Sequence, residues 1–257
     1  GDWSSDVCSS DLLMPMSYIF REHIKQSLAV IAFLITLTAC TSESYDAGDG
    51  PNSYLTADLV LLHTSQDKSV RSALLDDGTT LQFSNPFAQD WLTRPDSVYR
   101  ALLYYDKTVA TSDAAAPNPT ATSIVRARSV RPVSVLRPVE AEDMETLRTD
   151  PVGFESLWLS KNKSYVNLSL LLKSGKTEAD DALHALGIVS HGTTTGADRR
   201  RTLHLTLYHD QGGVPAYYTV QQYVSIPTQL LEEADTVELT LNTYNGKKVV
   251  KVAVSNL

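Results

Sequence analysis

The sequence predicts an all-β protein in which a small OB-like barrel is followed by a β-sandwich. Three observations support this fold class. Apolar and polar residues alternate, Asp-Gly and Asn-Gly pairs separate apolar segments, and strand-like segments in the second half recur about every ten residues. The alternation is clearest in residues 201–209, where Leu203, Leu205 and Leu207 share one face, as a sheet with one face on a core requires.

Five strand-like segments precede residue 139, which favours a small OB-type barrel over residues 54–139. An Asp-Gly turn separates the second segment from the third, and residues 84–95, which contain two prolines, are expected to form a loop. The fifth segment is one long strand or two strands broken at Pro132. The five segments are 54–63, 70–75, 79–83, 97–107 and 123–136.

Seven further strand-like segments predict a β-sandwich over residues 151–257. The acidic stretch 140–150, with a possible helical turn at 142–147, is expected to be the linker, with the domain boundary near Thr149 to Pro151. Asn245-Gly246 is the strongest hairpin signal in the chain. The seven segments are 154–160, 164–172, 183–190, 201–209, 216–226, 236–242 and 249–254.

The first residues, GDWSSDVCSSDL, resemble the translation of a sequencing-library adapter. We therefore expect residues 1–13 to be an artefact of cloning, and we exclude them from fold reasoning as fusion scars are excluded. The natural start is then Met14 or Met16.

Residues 14–39 predict a lipoprotein signal peptide. Arg21 and Lys25 supply a basic start, and an almost uncharged apolar stretch follows at residues 27–38. That stretch is shorter than the roughly 20 residues that a membrane-spanning helix requires. A cleaved or lipidated leader is therefore favoured over a permanent transmembrane helix.

Cys40 is the predicted lipidation site because it directly follows Leu37-Thr38-Ala39. The alternative is a signal peptide cleaved after a small residue, with Cys40 incidental. Each buried acyl CH₂ contributes roughly 0.8 kcal/mol, so two or more chains anchor a protein stably. We expect membrane lipid as a partner of acylated Cys40, a flexible tether at residues 40–53, and a lipid-anchored place in the cell envelope. The outer membrane is the expected membrane, with its periplasmic face and the cell surface both open.

The cysteine content and the net charge limit the classes of function that this protein can have. The only other cysteine is Cys8, in the adapter-like segment, so Cys40 has no disulfide partner. The formal net charge of −8 argues against a nucleic-acid partner, which requires a concentrated basic face.

No catalytic, metal or cofactor motif is apparent. The histidines lack metal-site spacing, and Ser190 lacks the Gly-x-Ser-x-Gly pattern of a nucleophile elbow. His209-Asp210 is either part of a metal or acid-base site or a solvated strand end. Neighbouring acids such as Asp76-Asp77 are expected to be solvated turn residues. The sequence therefore predicts a protein that is not an enzyme, with no catalytic residues, metal or cofactor.

Aromatic residues supply the candidate ligand contacts. Trp91 and Phe87 fall in the expected loop, where they either contact a sugar or protein or close the end of the barrel. Tyr217, Tyr218 and Tyr223, with Tyr208 expected close by, either contact a carbohydrate or protein or pack in the core. We therefore expect a glycan or an envelope protein as the ligand. The sequence does not indicate an oligomeric state.

Several short motifs in order resemble the NigD-like lipoprotein family. They are Cys40, an OB-sized β region, Asp150-Pro151 before a strand with Trp158, Tyr165-Val166-Asn167-Leu168, Tyr217-Tyr218, Val224-Ser225-Ile226 and Asn245-Gly246. The resemblance implies an N-terminal OB-fold domain, a C-terminal β-sandwich domain, and a place in the envelope of Bacteroidota-type bacteria. It implies architecture more than activity.

These observations favour a non-catalytic, membrane-anchored binding or accessory module. One alternative is a glycan-active enzyme with acids from separate loops, which an interdomain cleft with two facing carboxylates would favour. Another is a bacteriocin-associated immunity or defence lipoprotein, which only the name of the family suggests.

Overall fold

The computed structural model describes residues 55–106, 123–176, 183–231 and 234–255. Cys40, the expected signal peptide and the expected tether lie outside the described residues. Within the described ranges, no helix is both long and apolar enough to cross a membrane.

The first five strands form a closed barrel, as predicted. Its strand order is β1-β2-β3-β5-β4, and all neighbours are antiparallel except β3 and β5. Gly78 in the β2–β3 turn has a φ of 89°, a left-handed conformation that glycine adopts without strain. The strands are β1 (Leu55–Thr64), β2 (Val70–Leu75), β3 (Thr80–Phe87), β4 (Val98–Asp106) and β5 (Ser123–Pro132).

Two sheets follow and form the predicted sandwich. One sheet has the order β14-β13-β11-β10-β7, and the other has the order β6-β12-β9-β8. Short 3-10 helices occupy Ala141–Asp143 and Thr228–Leu230. The strands are β6 (Ser134–Val135), β7 (Pro138–Glu140), β8 (Gly153–Leu159), β9 (Tyr165–Ser174), β10 (Ala185–Thr195), β11 (Arg201–Asp210), β12 (Tyr218–Pro227), β13 (Thr236–Thr243) and β14 (Gly246–Ala253).

The barrel and the sandwich have separate hydrophobic cores. In the sandwich, Leu203, Leu205 and Leu207 of β11 are buried and share a core with Leu168 and Leu170 of β9. On both sheets every second side chain points inward, and these apolar side chains fill the space between the sheets. Their burial stabilises the fold by about 25 cal/mol for each Å² of apolar surface removed from water.

The change from barrel to sandwich falls at Val133, upstream of the boundary expected near residues 149–151. Strand β5 ends at Pro132, which is the second of the two alternatives for this segment, and β6 pairs with β12 while β7 pairs with β10. Residues 134–140 therefore belong to the sandwich sheets by their hydrogen bonds. Such short segments have too few residues to reveal by alternation which sheet they join.

Candidate functional site

A cleft of about 550 Å³ lies between the barrel and the sheet formed by β6, β12, β9 and β8. Its barrel wall comes from β1, β4 and the turn after β2. Its sandwich wall comes from β8, β9 and β12. Both walls contribute carboxylates, and aromatic side chains line the sandwich wall.

Asp58 of β1 is fixed on the barrel wall by a buried tyrosine. The hydroxyl of Tyr105 donates a hydrogen bond of 2.8 Å to Oδ2 of Asp58. Burial raises the pKa of the Tyr105 hydroxyl, and the hydrogen bond and charge of Asp58 raise it further, so the phenol stays protonated and remains a donor. This bond occupies one of the two carboxylate oxygens of Asp58.

Asp77 is the exposed acid of the β2–β3 turn. The backbone N–H of Thr79 donates to its Oδ1 at 2.9 Å. That bond, the Thr79 hydroxyl and the nearby Lys161 lower the pKa of Asp77, so its carboxylate is charged at neutral pH. A lowered pKa suits a ligand acceptor and is the opposite of what a general acid requires.

The aromatic part of the sandwich wall is a perpendicular ring pair. Trp158 of β8 and Tyr223 of β12 have ring centroids 6.4 Å apart and ring planes at 86°. Strand β9 lies between their strands, with Trp158 opposite Asn167 and Tyr223 opposite Ser169. Both side chains are half-buried, so part of each ring faces the cleft.

Glu155 reaches the same wall through a β-bulge. The register between β8 and β9 shifts between Phe154 and Ser156, which places Glu155 and Ser156 outward in succession. The Ser169 hydroxyl donates to Oε2 of Glu155 at 2.6 Å, and the Gln221 amide donates to the same oxygen. Two donors thus orient one carboxylate oxygen.

A buried polar network beside the cleft joins the barrel to the sandwich. The guanidinium of Arg100 forms a bidentate ion pair with Asp76, at 2.6 and 2.7 Å. It also donates to Asn167 at 3.0 Å and to Ser225 at 3.1 Å, and it lies 4.3 Å from the ring centroid of Tyr165. Asp76 is therefore the partner of a buried cation, and the expectation of a solvated acid at this position is wrong.

Trp91 and Phe87 lie outside the cleft. Trp91 is half-buried against the barrel core, with its ring 5.8 Å from that of Tyr99. Phe87 is the last residue of β3, not a loop residue, and its ring lies 5.3 Å from that of Phe83. The loop expected at 84–95 begins later because β3 pairs again with β2 at Phe87.

The tyrosines do not form one cluster. Tyr223 lines the cleft, whereas Tyr217 and Tyr218 lie near the start of β12 with 79% and 50% of their surfaces exposed. Tyr208 is on β11, in the other sheet. Tyrosines on neighbouring sequence segments are therefore divided between two sheets. The alternation of residues along a strand does not show which sheet the strand joins.

His209 is buried, so the solvated interpretation is wrong for His209. Its Nε2 lies 3.0 Å from Nδ1 of His184, and its Nδ1 lies 3.0 Å from the carbonyl oxygen of Asp150. The two imidazole rings stack with centroids 5.2 Å apart. Within the described parts of the chain, no group of three His, Cys, Asp or Glu side chains is placed to hold a metal ion.

Neither Glu155 nor the place of Trp158 in the cleft was predicted from the sequence. Trp158 was noted only as part of a motif that resembles the NigD-like family. The strand segment FESLWLS gives no direct sign of the bulge at Glu155. The departure from strict alternation, two polar residues together at Glu155 and Ser156, is the signal that was available.

Replacing Trp91 with alanine is expected to destabilise the barrel by roughly 1 to 3 kcal/mol, less than full burial of the ring would imply. The reason is the loss of its packing against the barrel core and Tyr99. Thermal unfolding measures the effect, with Tyr217→Ala as the control for an exposed aromatic. An unchanged melting temperature would contradict the packing role of Trp91 and would favour a ligand-contact role instead.

The fold and the cleft define a two-part β protein, a closed five-stranded barrel followed by a sandwich, with a concave surface between them. Residues 135–254 match the family model of the NigD-like C-terminal beta sandwich domain. This match confirms the NigD-like resemblance predicted from the sequence. A search of curated proteins finds no significant match.

Solved structures share the fold at low sequence identity. A NigD-like immunity protein from Bacteroides caccae superposes with a TM-score of 0.56 at 23% identity, covering 76% of this chain and 91% of that chain. A candidate lipoprotein from Bacteroides fragilis gives 0.56 at 14% identity, covering 79% and 99%. A protein of unknown function from Bacteroides vulgatus gives 0.54 at 16% identity, covering 78% and 92%. None of these three names denotes an enzyme.

Proposed function

We propose that this protein is a lipid-anchored envelope protein that binds a ligand, without converting it, in the cleft between its barrel and its sandwich. The single observation that supports the binding role is the cleft itself, which presents the Trp158–Tyr223 pair and oriented carboxylates in one concave surface. Ligand sites in proteins are commonly concave, partly apolar and equipped with a few fixed polar groups.

The anchoring part of the proposal rests on Cys40 and its flanking sequence. Leu37-Thr38-Ala39-Cys40 directly follows an apolar leader, and a Bacteroides fragilis protein of the same fold is named a candidate lipoprotein. An acylated Cys40 would hold the β domains at the outer membrane, on its periplasmic face or at the cell surface.

Replacing Cys40 with serine is expected to move the protein from the membrane fraction to the soluble fraction, because acyl chains are lost as the anchor. Cell fractionation with a carbonate wash, followed by immunoblotting, measures the distribution. Ser42→Ala, which leaves the cysteine intact, is the control. Retention of the Cys40→Ser protein in washed membranes would contradict lipid anchoring.

Hydrogen exchange tests the cleft as the binding surface. Envelope extracts are separated into a glycan fraction and a protein fraction, and each is added to the intact protein. We expect at least one fraction to slow amide exchange in β1, β8 and β12, and Trp158→Ala to remove that protection. Exchange unchanged by both fractions would overturn the binding role.

A glycan-active enzyme is the second function that a specific observation favours. Carboxylates lie on both walls, Asp58 and Asp77 on the barrel and Glu155 on the sandwich, and glycoside hydrolysis uses two carboxyl groups across a cleft. The lowered pKa of Asp77 opposes a general-acid role for that residue. Release of reducing ends from the glycan fraction, abolished by Glu155→Gln, would establish hydrolysis and overturn the non-catalytic proposal.

An immunity role is the third possibility, and the name of the Bacteroides caccae neighbour is its support. Deletion of the gene would then sensitise cells to a cognate bacteriocin. Unchanged sensitivity would remove this function.

A further inference from the structure

We propose that the ligand of the cleft is a short oligosaccharide that is uncharged or carries amines, and that the cleft rejects anionic sugars. This inference rests on the proposed binding function and assigns its ligand class. It follows from the kind of surface that forms the sandwich wall, from the hydrogen-bonding groups in the cleft, and from the charges around it.

The sandwich wall is the outer face of a sheet. Glu155 and Trp158 of β8, Ser169 of β9, and Gln221 and Tyr223 of β12 all line the cleft. The backbone groups between these strands are paired with one another in antiparallel ladders. The face therefore offers rings and polar side chains, and not the free main-chain groups with which an extended peptide adds to a sheet.

The aromatic pair suits the apolar face of a sugar ring. The ring planes of Trp158 and Tyr223 are perpendicular, and both residues line the cleft. A pyranose ring presents C–H groups on one face and hydroxyls at its edge, so it can pack on an aromatic ring while its hydroxyls reach polar neighbours. Rings that combine an apolar body with nearby polar groups fit such amphipathic ligands.

The polar groups beside the rings are mostly hydrogen-bond acceptors. Ionised carboxylates accept and do not donate, and three of them line the cleft outside the Arg100 ion pair: Asp58, Asp77 and Glu155. Ser169 and Gln221 orient Glu155, and Tyr105 orients Asp58, so these two acceptors are fixed before a ligand arrives. Fixed acceptors match ligands that are rich in donors, such as the hydroxyls of a sugar or the ammonium of an amino sugar.

The charge of the cleft excludes anionic sugars. Among the described residues that line the cleft, Lys161 carries a positive charge, whereas three carboxylates outside the ion pair carry negative charges. The guanidinium of Arg100 is already engaged by Asp76, Asn167 and Ser225, behind the cleft wall. Like charges across a binding surface oppose association, so uronates and sulfated sugars are disfavoured.

Calorimetry on the intact protein tests this ligand class with defined probes. The probes are hexamers of glucose, mannose, xylose and N-acetylglucosamine, the glucosamine hexamer as the amine-bearing probe, and the galacturonate hexamer as the anionic probe. We expect at least one uncharged or amine-bearing hexamer to bind, and the galacturonate hexamer not to bind. Trp158→Ala is expected to weaken the binding about tenfold or more through loss of the packing surface.

Three controls make the result specific. Trp158→Phe keeps an aromatic ring and is expected to retain most of the affinity, whereas Tyr217→Ala removes an exposed aromatic outside the cleft and is expected to change nothing. Circular dichroism confirms that each variant is folded. Glu155→Gln tests the acceptor and is expected to weaken binding several-fold, most strongly for the amine-bearing hexamer.

The inference is overturned if none of the uncharged or amine-bearing hexamers binds at millimolar concentration. It is also overturned if galacturonate binds best, or if Trp158→Ala leaves the affinity unchanged. The hydrogen-exchange experiment distinguishes a wrong ligand class from a wrong binding function. Protection of the cleft by the protein fraction alone would preserve the binding function and assign it a protein ligand.

Discussion

Replacing Arg100 with methionine is expected to lower the free energy of unfolding by about 3 to 5 kcal/mol. The side chain of Arg100 is 1% exposed and that of Asp76 is 20% exposed, so the substitution leaves a poorly solvated carboxylate without its cation. Asn167 and Ser225 lose a hydrogen-bond partner at the same time. Removing one member of a buried pair costs much more than the pair itself contributes.

Chemical denaturation at neutral pH measures this loss, and a second variant separates its causes. Asp76→Asn in the Arg100→Met background removes the unpaired charge and is expected to recover part of the lost stability. Arg71→Met is the matched control, because Arg71 and Asp67 form an exposed pair, 67% and 62% accessible, at 3.9 Å. Such surface pairs contribute roughly 0 to 1 kcal/mol. Equal losses for Arg71→Met and Arg100→Met would contradict the buried-pair argument.

The same network has a consequence for the cleft. Arg100 belongs to the barrel, while Asn167 and Ser225 belong to the sandwich, so their bonds hold the two walls in one arrangement. Asp76 adds a further bond, since Asn167 donates to its Oδ2 at 3.0 Å. The affinity of the cleft for its ligand therefore depends on a group that lies behind its wall, because preorganised walls reduce the ordering cost of binding.

The fold was predictable because burial on one face of a strand imposes period two on the sequence. Leu203, Leu205 and Leu207 show this directly, and their predicted face is the buried one. The Asn245-Gly246 turn was equally local, with Gly246 at a φ of 102° where β14 begins. Both signals lie within a few neighbouring residues.

The site was not predictable in the same way, because its residues come together through long-range pairing. Asp58 and Glu155 belong to different halves of the chain, and nothing near either residue in sequence indicates that they line one cleft. Aromatic residues in an irregular stretch suggested Trp91, yet Trp91 packs on the barrel core. The Arg100–Asp76 pair was missed for the same reason, since an acid next to a turn usually is solvated.

The stacked histidine pair is expected to make the protein less stable as the pH falls below neutrality. Burial lowers the pKa of His184, and the nearby His209 lowers it further. The folded state therefore binds protons less readily at His184 than the unfolded state, whose histidines titrate near pH 6.5. A histidine whose pKa is lower in the folded state contributes its full stability at pH values above the pKa of the unfolded state. That stability is lost as the pH falls from the unfolded-state pKa toward the lower folded-state pKa.

The hydrogen bonds fix which ring nitrogen of His184 would take up an added proton. The carbonyl of Asp150 only accepts, so Nδ1 of His209 donates to it, and Nε2 of neutral His209 then accepts from Nδ1 of His184. A proton added to His184 would therefore lie on its Nε2, which is buried and has no hydrogen-bond partner among the described residues. The charged groups nearby are the ion pair of Arg148 with Asp210 and the carboxylate of Asp150, which accepts from the Gln211 N–H at 2.7 Å.

Melting temperatures of the wild type and of His184→Gln between pH 7.5 and 5 measure this effect. The wild type is expected to lose stability more steeply than His184→Gln, because glutamine keeps an amide donor toward His209 and does not titrate. His191→Gln is the matched control, since His191 is exposed on β10 and is expected to leave the slope unchanged. Parallel curves for the wild type and His184→Gln would mean that the histidine pair takes up its proton without loss of stability. The lowered pKa of His184 would then have no role in acid unfolding.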